Sequence, residues 1–179
     1  MSSRVDPPDG AKFAGVMIGE PEDLWLLASD AGYGFTARLK DLITDRRAGK
    51  TILTVPENAH VLAPAPVFSP DSLLAAISSE GKLLAFPVGE VPEMPRGKGN
   101  KLYDIPGKKA RARTELMTAV AVVPPKGSLI LWSGETQKVL EWRELQDYLG
   151  ERAQRGAVLK RGWPRKIDRM EARAAAAPA

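Results

Sequence analysis

Two stretches decide the fold: ASDAGYGFTARLKDLITDRRAGKTIL at residues 28–53 and ISSEGKLLAFPVGEVPEMPRGKGNKL at residues 77–102. They align without gaps at a shift of 77 − 28 = 49 residues. The aligned positions are Gly32 and Gly81, Phe35 and Leu84, Leu42 and Val91, Arg47 and Arg96, and Leu53 and Leu102. A fixed period of this length is typical of supersecondary units that are stacked or arranged around an axis.

Each unit is a series of short apolar runs separated by turn residues, which predicts strands rather than helices. We predict strands over 13–18, 24–28, 34–39 and 51–55, then 60–67, 73–77, 83–88 and 101–105, then 116–123, 129–132 and 138–142, with closing segments at 157–159 and 167. A short helix is predicted within 143–152, because Trp142, Leu145 and Leu149 have helical spacing.

These elements divide the chain into a flexible lead-in at 1–10, three blades at 11–58, 59–107 and 113–169, and a disordered tail at 170–179. The fold class is therefore all-β, with about three four-stranded, propeller-like blades. Three blades are few for a closed ring, so we expect either an open arc or a fragment of a larger domain.

Composition excludes several kinds of site. The 179 residues contain no cysteine, which removes disulfide and thiolate chemistry, and His60 is the single histidine. No apolar run reaches the roughly 18 residues of a membrane span. Residues 1–90 carry 8 Lys and Arg against 12 Asp and Glu, a net −4, whereas residues 91–179 carry 18 against 10, a net +8. Such a basic half is typical of a protein that binds a polyanion.

Basic, glycine-bearing loops recur in all three units: the first loop (residues 45–50), the second loop (residues 95–101) and the third loop (residues 152–156). Glycine lets the backbone approach a ligand closely, and lysine and arginine beside it supply charge for phosphate oxygens. The plain alternative is that glycine only makes a turn and the cations only solvate it. The residues predicted to contact phosphate are Arg46, Arg47, Lys50, Arg96, Lys98, Lys101, Lys108, Lys109, Arg155 and Lys160.

Two nucleotide-binding motifs are incomplete. Gly49-Lys50-Thr51 resembles the end of a P-loop, but Thr44 occupies the position of its first glycine. Gly97 and Gly99 begin a dinucleotide fingerprint, but Leu102 occupies its third glycine position. We therefore expect no cofactor and no metal. A hydrolase is disfavoured, because His60 is the single candidate base for a triad and is interpreted as structural or exposed.

A family resemblance covers residues 11–168. The strings ASDAGYGF, AGKTILTVPENAHVLAP, GKLLAFPV and PRGKGNKLYDIPGKK resemble the C-terminal DNA-binding domain of the topoisomerase IV protein ParC, which is related to the corresponding gyrase A domain. The resemblance implies a β-pinwheel, whose propeller-like blades exchange strands, with DNA bending around a basic outer rim. The gyrase box QRRGGKG is present only in degenerate form, which favours the topoisomerase IV type. The family's blade number implies that this chain is truncated at its N-terminal side.

By this resemblance the chain is a non-catalytic module that binds and bends double-stranded DNA and guides the choice of DNA crossing during ATP-dependent strand passage, decatenation and relaxation. The implied partners are the ATP-hydrolysing protein ParE and a second copy of ParC, in a cytoplasmic, nucleoid-associated enzyme that is compatible with peripheral membrane association. The catalytic tyrosine of such enzymes has no counterpart in this chain, and none of Tyr33, Tyr103 and Tyr148 is expected to act as a nucleophile. The alternative is a propeller-like scaffold that binds an acidic protein partner.

Overall fold

The computed structural model describes residues 9–176. Most of the predicted lead-in at 1–10, and the last three residues of the predicted tail, therefore lie outside the described residues. Within them the chain forms three antiparallel sheets, which confirms the predicted all-β class.

Three β-hairpins form the centres of the sheets. They are β1 (Leu24–Ala28) with β2 (Tyr33–Arg38), β4 (Leu73–Ser78) with β5 (Lys82–Pro87), and β8 (Ser128–Ser133) with β9 (Thr136–Glu141). Each hairpin turns at a glycine with positive φ: Gly32, Gly81 or Gly134. Because alternation and turn residues are local signals, all six strands lie within one or two residues of their predicted positions.

The remaining strands join sheets from a distance along the chain. They are β3 (Ala65–Val67), β6 (Asn100–Lys101), β7 (Met117–Val123), β10 (Ala157–Val158) and β11 (Arg169–Arg173). The sheet orders are β3-β1-β2-β6, β10-β5-β4-β7 and β11-β8-β9. In the first two sheets the strand that pairs with the second hairpin strand comes from the following segment of the chain. The sheets thus exchange strands across the predicted boundaries between blades. The boundaries themselves stay a prediction.

The middle sheet is buried on both faces. Leu74 and Ala76 of β4 face one apolar core together with first-sheet residues such as Leu26. Leu73 and Ile77 of the same strand face a second core shared with the third sheet. Side chains alternate along a strand, so a strand that serves two cores must be apolar throughout. This accounts for the continuous sequence LLAAIS in β4.

Two predicted strands are absent, and two others, over 60–67 and 101–105, are reduced to Ala65–Val67 and to Asn100–Lys101. Residues 13–18 form no strand, and Phe13 and Ile18 are 80% and 83% exposed. Residues 51–55 contribute only a single parallel bridge, from Leu53 to Gly97. An apolar run becomes a strand only where another strand offers free backbone groups, and among the described residues neither run has such a neighbour along its length.

Three further differences concern the C-terminal half. The predicted disordered tail begins with β11, which pairs with β8 and buries Met170, because its alternating side chains suit a sheet with one covered face. The junction between the second and third predicted blades, for which no helix was predicted, forms the helix α2 (Gly107–Ala112). The predicted helix is confined to α3 (Trp142–Leu145) and a 3-10 turn at Gln146–Tyr148, while a short α1 (Leu39–Leu42) follows β2.

Candidate nucleic-acid interface

The three basic loops lie side by side, although about fifty residues separate each from the next. The Gly97 N–H donates to the Ile52 carbonyl at 2.8 Å, which joins the second loop to the segment after the first. Arg152 Nη1 donates to the Lys101 carbonyl at 2.8 Å, and the Ala153 N–H donates to the Leu102 carbonyl at 2.9 Å. The loops therefore follow one another in the order first, second, third.

The second and the third loop each pack against a hairpin at a glycine. A Cβ atom on Gly99 would lie 2.1 Å from the Gly34 carbonyl oxygen of β2, and one on Gly156 would lie 2.4 Å from the Leu83 carbonyl oxygen of β5. Such distances leave no room for any side chain. Because Gly34 and Leu83 are 49 residues apart, the repeat seen in the sequence includes the hairpin position that receives the loop.

Cations of the first and second loops share a depression of about 740 Å³, lined by Lys40, Arg46, Lys50 and Arg96 among others. Residues 45–50 are all exposed, and so is Arg96. Lys50 Nζ also donates to the Asp41 carbonyl at 2.5 Å, which holds its ammonium group over the depression. Lys40 is a site residue that the sequence analysis did not select. Arg47 lies in the same exposed loop.

A second depression, of about 270 Å³, lies where the second loop meets α2, and Lys98, Lys101 and Arg111 line it. Lys98 Nζ is 3.9 Å from the centre of the Tyr33 ring, a cation–π contact. Lys101 Nζ is 2.7 Å from Asp104 Oδ1. Arg111 was not predicted as a contact. The fold brings it beside Lys98.

Two predicted contacts are bound to a buried carboxylate. Glu115 is 1% exposed, and its Oε2 lies 2.9 Å from both Lys109 Nζ and Arg155 Nη2. The hydrogen bond to Glu115 raises the pKa of Lys109 above its ordinary value. Sequence analysis missed Glu115, because a carboxylate between a basic cluster and an apolar strand has no distinctive local signal.

Lys160 lies two residues after β10, which is an edge strand of the middle sheet. Its Nζ is 3.1 Å from Asp147 Oδ2 and 3.8 Å from Glu144 Oε1. The hydrogen bond to Asp147 raises the pKa of Lys160. This predicted contact is thus separate from the two depressions and is accompanied by two carboxylates. Lys108, by contrast, is exposed on α2.

Residues 9–176 offer few side chains for other kinds of site. No group of three or more His, Asp or Glu side chains within that range could hold a metal ion. No helix in the same range is long and apolar enough to cross a membrane. His60 Nδ1 lies 3.8 Å from Asp30 Oδ2, and the His60 backbone N–H donates to Asp30 Oδ1, while the imidazole is largely exposed.

The chain is similar to several known proteins. Residues 23–67 and 73–124 match the family model described as DNA gyrase C-terminal domain, beta-propeller. The chain is 41% identical over 166 residues to the A subunit of DNA topoisomerase 4 from Pseudomonas aeruginosa, covering 92% of this chain and 22% of that protein. With the Escherichia coli K12 protein of the same name it is 37% identical over 171 residues, covering 96% and 22%. The chain thus spans about a fifth of the length of these relatives.

Solved structures give the same result. The E. coli ParC C-terminal domain superimposes with a TM-score of 0.82 at 37% identity, covering 95% of this chain and 68% of that one. A DNA gyrase A C-terminal domain gives a TM-score of 0.72 at 14% identity, covering 94% and 56%, which shows a shared fold.

Proposed function

Since the chain belongs to the family of gyrase A and ParC C-terminal domains, we propose that it is a DNA-binding domain that holds a duplex along its first and second basic loops and the adjoining helix α2. The observation that carries the proposal is the contact between successive loops, because it turns scattered cations into one line. A double helix presents a phosphate about every 1.7 Å of its length when both strands are counted, and such a line is what it can follow.

In the proposed complex the protein contacts mainly the phosphates of the DNA. Apart from the half-buried Lys101 in β6, the cations of the first and second loops are exposed side chains on loops rather than on a helix or β-ribbon that could enter a groove. Contacts of this kind position a duplex without reading its sequence. We propose that the parent protein is a bacterial type II topoisomerase that works together with ParE and a second copy of ParC. In that enzyme this domain would bend DNA and guide the choice of DNA crossing during ATP-dependent strand passage.

The test is a salt titration of binding to short linear duplexes of two unrelated sequences. About four to six phosphate contacts give a slope of log affinity against log salt of roughly −4 to −5. Replacing Arg96, Lys98 and Lys101 together by Glu should weaken binding to both sequences equally and flatten the slope.

A matched control changes the net charge by the same amount elsewhere. Lys12, Lys138 and Arg173 are exposed and lie outside the three loops, so their replacement by Glu should leave the slope nearly unchanged. A slope near zero for the unchanged chain, or equal effects of the two triple variants, would contradict the proposal. Capture of an acidic protein without DNA binding would favour the scaffold alternative.

A further inference from the structure

We infer that Lys109 and Arg155 are positioning residues that hold α2 and the third loop around Glu115, so that the neighbouring Lys108 faces the DNA. This inference rests on the proposed function and deepens it. It divides the basic residues into those that can exchange a carboxylate for a phosphate and those that cannot.

Glu115 is buried within a network of hydrogen bonds. Both of its oxygens accept hydrogen bonds from Arg155, at 3.0 and 2.9 Å, and Oε2 also accepts one from Lys109 at 2.9 Å. A carboxylate that is 1% exposed cannot turn to water if those cations leave. Moving either cation to a phosphate would leave the buried carboxylate with a single cationic partner, and the lost compensation of its charge is unfavourable.

Lys101 differs from Lys109 and Arg155 in that its carboxylate partner is exposed. Its partner Asp104 is 41% exposed at the side chain, so it can be hydrated when Lys101 turns to a phosphate. Glu80, which lies 3.7 Å from Lys109 Nζ, is 38% exposed and can be hydrated in the same way. Glu115 is therefore the carboxylate in this network that fixes its cations.

The ion pairs of Glu115 with Lys109 and Arg155 hold three segments of the chain together. Glu115 lies between α2 and β7, Lys109 belongs to α2, and Arg155 belongs to the third loop. Arg155 Nε is also 3.8 Å from Asp104 Oδ2, in the segment that links the second loop to α2. The pair thus sets the spacing between the second loop, α2 and the third loop.

Lys108 and Lys109 form a matched pair for the test, because they are adjacent on the same helix and carry the same charge. The measurements are the salt slope for a linear duplex and the thermal midpoint of the full chain. K108Q should reduce the magnitude of the slope by about 0.9, the value of one phosphate contact, and change the midpoint by less than about 2 °C. K109Q should leave the slope unchanged and lower the midpoint by about 5 °C or more.

A second variant separates loss of stability from loss of contact. In K109Q combined with E115Q the buried charge is gone, so at least half of the lost midpoint should return while the slope still equals that of the unchanged chain. Equal slopes for K108Q and K109Q overturn the inference, as does a slope reduced by about 0.9 in K109Q both with and without E115Q. A slope near zero in the unchanged chain would instead contradict the proposed function itself, so the two failures are distinguishable.

Discussion

Replacing Gly99 by Ala tests how the second loop is attached to the first sheet. Gly99 has φ +78°, and Gly49 of the first loop has nearly the same φ, +75°. An alanine at either position incurs about 1–2 kcal/mol of left-handed backbone strain. The added Cβ at residue 99 would also lie 2.1 Å from the Gly34 carbonyl oxygen, whereas at residue 49 nothing lies within 4 Å. The two variants therefore differ in the close approach alone.

The extra cost at residue 99 comes from the strand β6. Its two residues pair with Tyr33 and Gly34 of β2, and relief of the clash requires this short ladder to separate. Losing about two hydrogen bonds at 0.5–1.5 kcal/mol each adds about 1–3 kcal/mol. G99A should thus lose about 2–5 kcal/mol of unfolding free energy, and G49A about 1–2 kcal/mol.

Urea denaturation followed by tryptophan fluorescence measures both values. DNA affinity should fall further in G99A than in G49A, because displacement of the second loop moves Arg96 and Lys98 away from the cations of the first loop. If the two variants lose equal stability, the close approach of Gly99 to β2 does not hold the loop, and the reasoning is refuted.

Two other predictions follow from buried or paired groups. The Tyr103 hydroxyl donates to the Lys82 carbonyl at 3.1 Å and accepts from the Gly156 N–H at 3.0 Å, so Y103F should lose about 1–3 kcal/mol in urea denaturation; no loss would show that these bonds do not connect the first two sheets. The hydrogen bond from Lys82 lowers the pKa of Glu80 below its ordinary 4.5, so its stabilising effect is present above that pH and is lost as the pH falls through the lower folded-state pKa. The urea midpoint of E80Q should therefore fall less between about pH 5 and about pH 3 than that of the unchanged chain, and an equal fall would exclude this contribution.

The hairpins could be predicted from the sequence because their signals are local. Alternating apolar residues and a turn glycine occupy a dozen neighbouring positions, as in residues 24–38, and the pairing partner is the next strand along the chain. The same reasoning failed at residues 51–55 and 170–173. In both places the outcome depends on whether a distant strand offers a free edge, which no local pattern encodes.

The candidate site was predicted in composition but not in arrangement. Arg46, Arg96 and Lys98 were predicted to contact phosphate, which stays a prediction, and they are exposed in the structure. Lys109 and Arg155 were equally basic in the sequence, yet both contact Glu115. Arg111 and Lys40 gained their places only because the fold carries them to the second and first loops.

The sequence by itself determined the β class, the repeat and the charge of the loops, since each depends on residue type and spacing over short distances. Tertiary structure alone decided which strands cross between sheets, which loops touch and which cations meet a carboxylate. The physical reason is that a charge has its effect through its neighbours in space. Residues 109, 115 and 155 become neighbours only after the strands on either side have found their sheets.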